Sequence, residues 1–171
     1  MTWRGSSTAM DRFFSCLVYA LPLADAYRLD FAYGDILQTL NSIPGVSLLM
    51  IPLNLLFGLY ASIVGQIPLG DFIAFILVFA LVVRNERIRH FIRFNAMQAI
   101  LVGIALSLFS ILWQLILNIV PVLGNTMLGV TLINTIVLGG LAIIVYSIFQ
   151  SALGKYAEIP TISDAVYMQV R

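Results

Sequence analysis

The sequence predicts an all-α membrane protein of four transmembrane helices, with a re-entrant or interfacial apolar segment between the first and the second. Three observations lead there. Hydrophobic residues make up 61% of the 171-residue chain and charged residues 10%, with a mean hydropathy of +1.01. A soluble domain carries about 45–50% apolar and about 25% charged residues, and a fold of this length cannot hide so much apolar surface from water unless a bilayer is its solvent. The apolar residues gather in five stretches, about 13–27, 46–65, 69–83, 96–120 and 127–152. Finally, the lysines and arginines fall almost wholly on one side if four of those five stretches cross.

Taken in order, the 13–27 stretch follows Arg4 and Arg12 and reads as the first span. A signal peptide is the competing reading, because Ala24, Asp25 and Ala26 imitate a cleavage site; Pro22 and Asp25 within the run count against it. Residues 46–65 are interrupted by Pro52, Asn54, Gly58 and Gly65 and flanked by Pro44 and Pro68. A proline inside a helix removes a backbone hydrogen bond and kinks the chain, so this stretch is expected to be re-entrant or interfacial. Residues 69–83, LGDFIAFILVFALVV, start at Gly70 and Asp71 and stop at an arginine-rich stretch; they read as the second span. The 96–120 and 127–152 stretches are long and nearly uncharged, and each covers a hydrocarbon core of about 30 Å at about 1.5 Å per residue. The whole chain, 1–171, then forms one integral membrane domain with an extramembrane C-terminal segment, 154–171.

Charge supplies the parity. With four spans, Arg4, Arg12, Arg84, Arg87, Arg89, Arg93, Lys155 and Arg171 share one side and only Arg28 lies opposite. A fifth crossing through 46–65 would spoil that asymmetry. The positive-inside rule therefore puts both termini inside.

Nothing points to turnover. Cys16 is the only cysteine and His90 the only histidine, so no disulfide framework, metal motif or nucleophile with its base is assembled. The net charge of +1 offers no basic face for nucleic acid. No enzyme, cofactor, metal site or nucleic-acid partner is expected. Asp25 suggests an intramembrane ion or proton site, but the sequence favours a local pair with Arg28, one turn on.

Two helix faces are small and polar. On 96–120 it is Ala96, Ala99, Gly103, Ser107, Ser110, Gln114 and Asn118; on 127–152 it is Thr131, Asn134, Thr135, Gly139, Ala142, Tyr146 and Gln150. Such faces allow close helix approach in lipid. They are expected to pack on each other; the sharper reading makes them line a hydrophilic path. Four helices at 8–10 Å leave no peptide-sized pore, so a path needs several copies or partners. The stretch VRNERIRHFIRFNAMQ (83–98) interleaves arginines with apolar groups as an interfacial segment does. Arg84, Arg87, Arg89, Arg93, Asn95 and Gln98 are the expected lipid or partner contacts, with Arg93, Asn95 and Gln98 forming a docking site that the 159–170 segment or another protein fills.

RFNAMQAI (93–100) before a long apolar helix, and ALGKYAEIPTISDAVYMQV (152–170), resemble the Tic-twenty family; CLVYALPLADA (16–26) and VVRNERIRHF (82–91) follow that resemblance in order. It covers nearly the whole chain. It implies a four-helix membrane component of the chloroplast inner-envelope import translocon, or of its cyanobacterial and plastid-encoded relatives, with both termini cytoplasmic or stromal. The implied function is a channel or channel-scaffold subunit for polypeptide transport, working as a homo- or hetero-oligomer with other membrane proteins. The alternative is a non-conducting structural or assembly factor. A small-solute transporter would need internal repeats, and none is visible. The sequence shows no Ser- and Arg-rich leader, which suggests a bacterial, organelle-encoded or matured chain.

Single-cysteine labelling in a variant lacking Cys16 tests the topology. A membrane-impermeant reagent applied to sealed right-side-out vesicles is expected to leave residues 6, 87 and 165 alike unlabelled, and labelling of 87 without the termini would overturn the parity.

Overall fold

Local signals in the chain decide where its helices begin. The computed structural model describes residues 7–160 and 162–170, and the described residues form helices and turns with no strand. Arg4 and Arg171, two of the charges used above, lie outside them, as does the labelling position at residue 6.

Helix α1, Ala9–Leu17, starts at a capping box. The Thr8 hydroxyl accepts from the Asp11 N–H at 3.3 Å, and the Thr8 N–H donates back to Asp11 Oδ2 at 2.7 Å. A turn at Val18 and Tyr19 separates it from α2, Ala20–Tyr33. Pro22 sits in the first turn of α2, where its missing N–H would have had no helical partner anyway. The 13–27 stretch is therefore two helices, and the second runs six residues past the expected end. Asp30 then begins the next element, accepting from the N–H groups of Ile36 and Leu37 at 3.1 and 3.2 Å to start the short α3, Ile36–Ser42.

Helix α4, Val46–Ile63, corrects the expected break at 46–65. It is continuous for 18 residues with Pro52 inside. Pro52 costs the ladder one hydrogen bond, and lipid-exposed helices tolerate that when the rest of the ladder holds. None of its residues is buried within the chain. Helix α5, Gly70–Leu77, follows a turn with Leu69 at φ +56° and continues as a π-helical segment, Val78–Val83. Helix α6, His90–Ile119, and α7, Met127–Ala152, are joined by a 3-10 turn, Pro121–Asn125. Thr126 caps α7 by accepting from the Gly129 N–H. The C-terminal α8, Ile162–Gln169, lies against the start of α6.

Among the described residues, three helices are long and apolar enough to cross a membrane: Val46–Ile63, His90–Ile119 and Met127–Ala152. Gly70–Val83 is shorter, about 21 Å at 1.5 Å per residue, and the first stretch is split. Length and composition thus support an all-helical membrane protein without giving four equal spans.

The packing centre is α2, which stands between α6 and α7. Leu23, Ala26, Leu29, Val102, Ile133 and Val137 are buried around it. A second cluster joins Val83, Phe94, Met97 and Ile100 to Val166 of α8 and Val170 just after it. The start of α1, the end of the π-segment, the start of α6 and α8 meet at one end. Arg89 pairs with Asp11, Arg93 Nε donates to Val83 O at 2.8 Å, and His90 Nε2 lies 3.2 Å from Val170 O.

Leu23 is fully buried, so Leu23→Ala is expected to cost about 2–5 kcal/mol. Thermal unfolding in mild detergent should show a clearly lowered midpoint, and Leu108→Ala, at a position 56% exposed, should show almost none.

Candidate functional site

The basic stretch divides into two chemically different halves. Arg84 and Arg87 are exposed, and Arg89 reaches back to Asp11 at 2.7 Å. Burial alone pushes the Asp11 carboxyl up, but the Thr8 hydroxyl and N–H, with Arg89 added, outweigh it and hold the group below its ordinary value. From Arg93 onward the stretch is inside the protein. Asn95 Oδ1 accepts from Tyr19 OH at 3.1 Å and from Ser151 Oγ at 2.8 Å, while its Nδ2 donates to Phe91 O at 2.8 Å. Gln98 Nε2 donates to Ser147 Oγ at 3.1 Å.

This overturns the expected docking site. Asn95 and Gln98 are fully buried, and their partners come from the start of α2 and from α7, not from 159–170 or a second protein. The reason is geometric: the amides lie one turn apart on the face of α6 turned toward α1, α2 and α7. Two buried atoms nearby, Gln98 Oε1 and Ser15 Oγ, have no hydrogen-bond partner among the described residues.

The small and polar faces also meet different neighbours from those expected. Gly103 faces α2: a Cβ there would lie 3.0 Å from Asp25 Oδ2 and 3.9 Å from Pro22 Cα. The close approach of α6 to α7 is made instead where Gly140 meets Leu106. Ser107 is half-buried beside Asp25, Ser110 is half-buried, and Gln114 and Asn118 are exposed. Asn134 is tied to Asp35, donating to its carboxylate at 2.6 Å and accepting from its N–H at 3.2 Å. Gly139 faces open space. Only the first half of the α6 face, as far as Ser107, is therefore turned to α2.

The structure assembles a charged cleft that sequence reasoning missed. A cavity of about 360 Å³ lies between α2, α4, α5 and α6, with Asp25, Tyr60, Asp71 and Ser107 among its lining residues and Phe75 and Ile104 among its apolar walls. Arg28, which the sequence paired with Asp25, forms its ion pair with Asp71 at the start of α5. Tyr60 OH donates to Asp71 Oδ1 at 2.9 Å, and the Arg28 guanidinium sits 5.9 Å from the centre of the Tyr60 ring. Tyr27 OH donates to Asn54 Oδ1 and its ring stacks on Phe57, making a second tie between α2 and α4. Asp71 had been read only as a helix start; its partner stands 43 positions earlier, and no local pattern links the two. No three His, Cys, Asp or Glu residues among those described are placed to hold a metal ion. An ion pair, a tyrosine and a second carboxylate suit binding or gating.

The family described as "Chloroplast import apparatus Tic20-like" matches residues 8–166. A "Tic20 family protein" of Synechocystis sp. is 46% identical over the whole chain and 99% of the relative. "Tic20 family protein Ycf60" of Gracilaria tenuistipitata var. liui is 34% identical over 95% of the chain and 76% of the relative. "Protein TIC 20-II, chloroplastic" of Arabidopsis thaliana is 31% identical over 99% of the chain and 78% of the relative.

Asn95→Leu strands two buried hydroxyls, those of Tyr19 and Ser151, and a stranded buried group costs about 1–3 kcal/mol. The expected result is a lowered unfolding midpoint in detergent, against no change for the exposed Gln114→Leu. Equal midpoints for the two variants would mean that the amide network does not hold the bundle.

Proposed function

This chain belongs to the Tic20-like family of the chloroplast import apparatus, and on that premise we propose that it is a translocon-type membrane subunit, a channel or channel-scaffold component for polypeptide transport across a membrane. Its setting is a cyanobacterial membrane or a plastid inner envelope, with both termini cytoplasmic or stromal and with other membrane proteins, or further copies of itself, as partners.

The observation that carries this reading is the charged cleft. Charges within apolar helices are costly and are retained where they serve a path or a switch. Gly103 and Ser107 lie 13 and 17 residues into α6, roughly 20–25 Å along it, so Asp25 beside them sits deep along the helix, while the side chains of the Arg28–Asp71 pair are 37% and 49% exposed within the chain. The pair formed by α4 and α5 is fixed to α2 there by an ion pair and hydrogen bonds, while α4 buries no residue of its own. A wall held to the bundle by polar ties and by side chains that are only partly buried, Leu53, Leu56 and Phe57 of α4 and Phe75 of α5, can part sideways and admit an apolar polypeptide segment.

The same contacts suggest how four crossings arise. Asn54 of α4 donates to Asn41 of α3, near the far end of α2, and Tyr60 reaches Asp71. From there α5 and its π-segment run back along α6 to Val83, beside Arg93. We read α4 as entering from the far side and α5 as completing the same crossing. That keeps Arg12, Arg84, Arg87, Arg89, Arg93 and Lys155 on one side, the arrangement the positive-inside rule favours.

The alternative, a non-conducting structural or assembly factor, draws on the filled centre of the bundle. Tyr19, Leu23, Ile133 and Ile144 are fully buried there. Gln114 and Asn118, exposed and without hydrogen-bond partners among the described residues, would then meet a neighbouring subunit.

A photo-crosslinking residue in place of Phe75 separates the two. During transport in native membranes it is expected to capture the polypeptide in transit, whereas the same probe at the exposed Leu138 is not. Capture of resident membrane proteins alone at both positions would support the assembly factor and sink the transport subunit.

A further inference from the structure

A second, larger cavity lies on the other side of Tyr60. This groove of about 790 Å³ runs between α1 and α2 on one wall and α5 with its π-segment on the other. Its walls are apolar, with Phe14, Leu17, Leu21, Leu77, Val78 and Val82 along them. Asp11, Arg87 and Arg89 line one end and Leu21 and Tyr60 the other. From Asp11 to Leu21 is ten residues, through α1, the turn at Val18 and Tyr19 and the start of α2, so the groove is at most about 15 Å long. That is half of a hydrocarbon core of about 30 Å, the depth of one leaflet.

We propose that this groove seats one acyl chain of an anionic phospholipid, with the lipid phosphate held at its mouth by Arg87 and Arg89. The site goes beyond the transport reading and requires only that the protein reside in a bilayer. The argument rests on shape and charge together. The apolar walls offer an acyl chain contacts along about the depth of one leaflet, and Tyr60 lines the groove at the end away from the arginines. At the mouth, Asp11 neutralises Arg89 and fixes its position, while Arg87 is exposed there and contributes a further positive charge. Arg12 and Arg84 are close in the chain and outweigh the one other acid of the loop, Glu86. A zwitterionic headgroup brings its own cation to that mouth; an anionic one does not. The π-helical turn widens the backbone along this wall, in the register of Val78 and Val82.

The test uses the full chain in mild detergent, with native mass spectrometry after addition of phosphatidylglycerol or phosphatidylcholine of identical acyl chains. Phosphatidylglycerol is expected to be retained about fivefold better, the preference that one arginine near a headgroup provides. Arg87→Gln, at an exposed position, should bring retention down to the phosphatidylcholine level without moving the unfolding midpoint in lipid-free detergent. Val78→Trp, which fills the groove, should abolish retention of both lipids. Equal retention of the two lipids by the unaltered chain overturns the proposal, and so does a preference that survives both substitutions. If a second copy of the chain covers the groove instead, no lipid preference appears and Val78→Trp disperses a dimer seen in the same spectra; that outcome overturns it as well.

Discussion

Two long apolar helices joined by a five-residue turn would pack face to face along their length unless something stood between them. Here α1 and α2 stand between them, and the rest of the bundle follows from that placement. Because α2 occupies the space, the glycine of α6 at 103 meets Pro22 and Asp25 rather than α7, and α6 and α7 make their own close contact at Leu106 and Gly140. Lipid is as apolar as leucine, so burying leucine gives these helices little reason to associate. Close packing and hydrogen bonds must supply the reason. Ala24, Ala26, Ala96 and Ala99, all buried, supply the first.

Hydrogen bonds supply the second, and they are concentrated at the two ends of the wedge. At one end, Tyr19, Asn95, Ser151, Gln98 and Ser147 tie α2, α6 and α7 together; at the other, Asp35 and Asn134 join the end of α2 to α7. Each bond is worth about 1 kcal/mol net, little beside the whole fold. Their effect is on register. An amide in an apolar interior has few acceptable positions, so α2 cannot slide by a turn without stranding several groups at once.

The elements that the sequence made legible are those whose signal is local. The apolar runs at 96–120 and 127–152 became α6 and α7, the turn at 121–126 is where it was expected, and the basic stretch gathers at one end of the bundle. What stayed hidden depended on neighbours. Periodicity marks Ala99 and Gly103 as a face for close packing but does not say which helix covers it. Asn95 and Gln98 were recognised as amides in need of partners; those of Asn95, Tyr19 and Ser151, lie 76 and 56 positions away, and that of Gln98, Ser147, lies 49 away. Pro52 was overvalued, because one lost hydrogen bond is a small fraction of an 18-residue ladder. Pro22 was noticed only as an argument about cleavage, though it marks the first turn of a new helix. Arg28 was given the nearest acid when the one it pairs with comes from α5.

The π-helical segment at Val78–Val83 has a consequence for how the chain tolerates change in length. Its bonds reach five residues back, as in the one from the Arg84 N–H to Phe79 O, so it holds one residue more than an α-helix of the same rise. Loss of any one residue there would let the segment relax into ordinary helix with every hydrogen bond remade. Because the segment covers nearly the same rise and turn with one residue more, that relaxation would leave the upstream part of α5 facing as it does now, with Arg93 still anchored on Val83. Asp71 would keep Arg28, and Phe75 its place in the cleft. The same loss within Gly70–Leu77, where the helix is regular, would turn everything upstream by about 100°, so the extra residue of the π-segment is the one length in this stretch that can be given up.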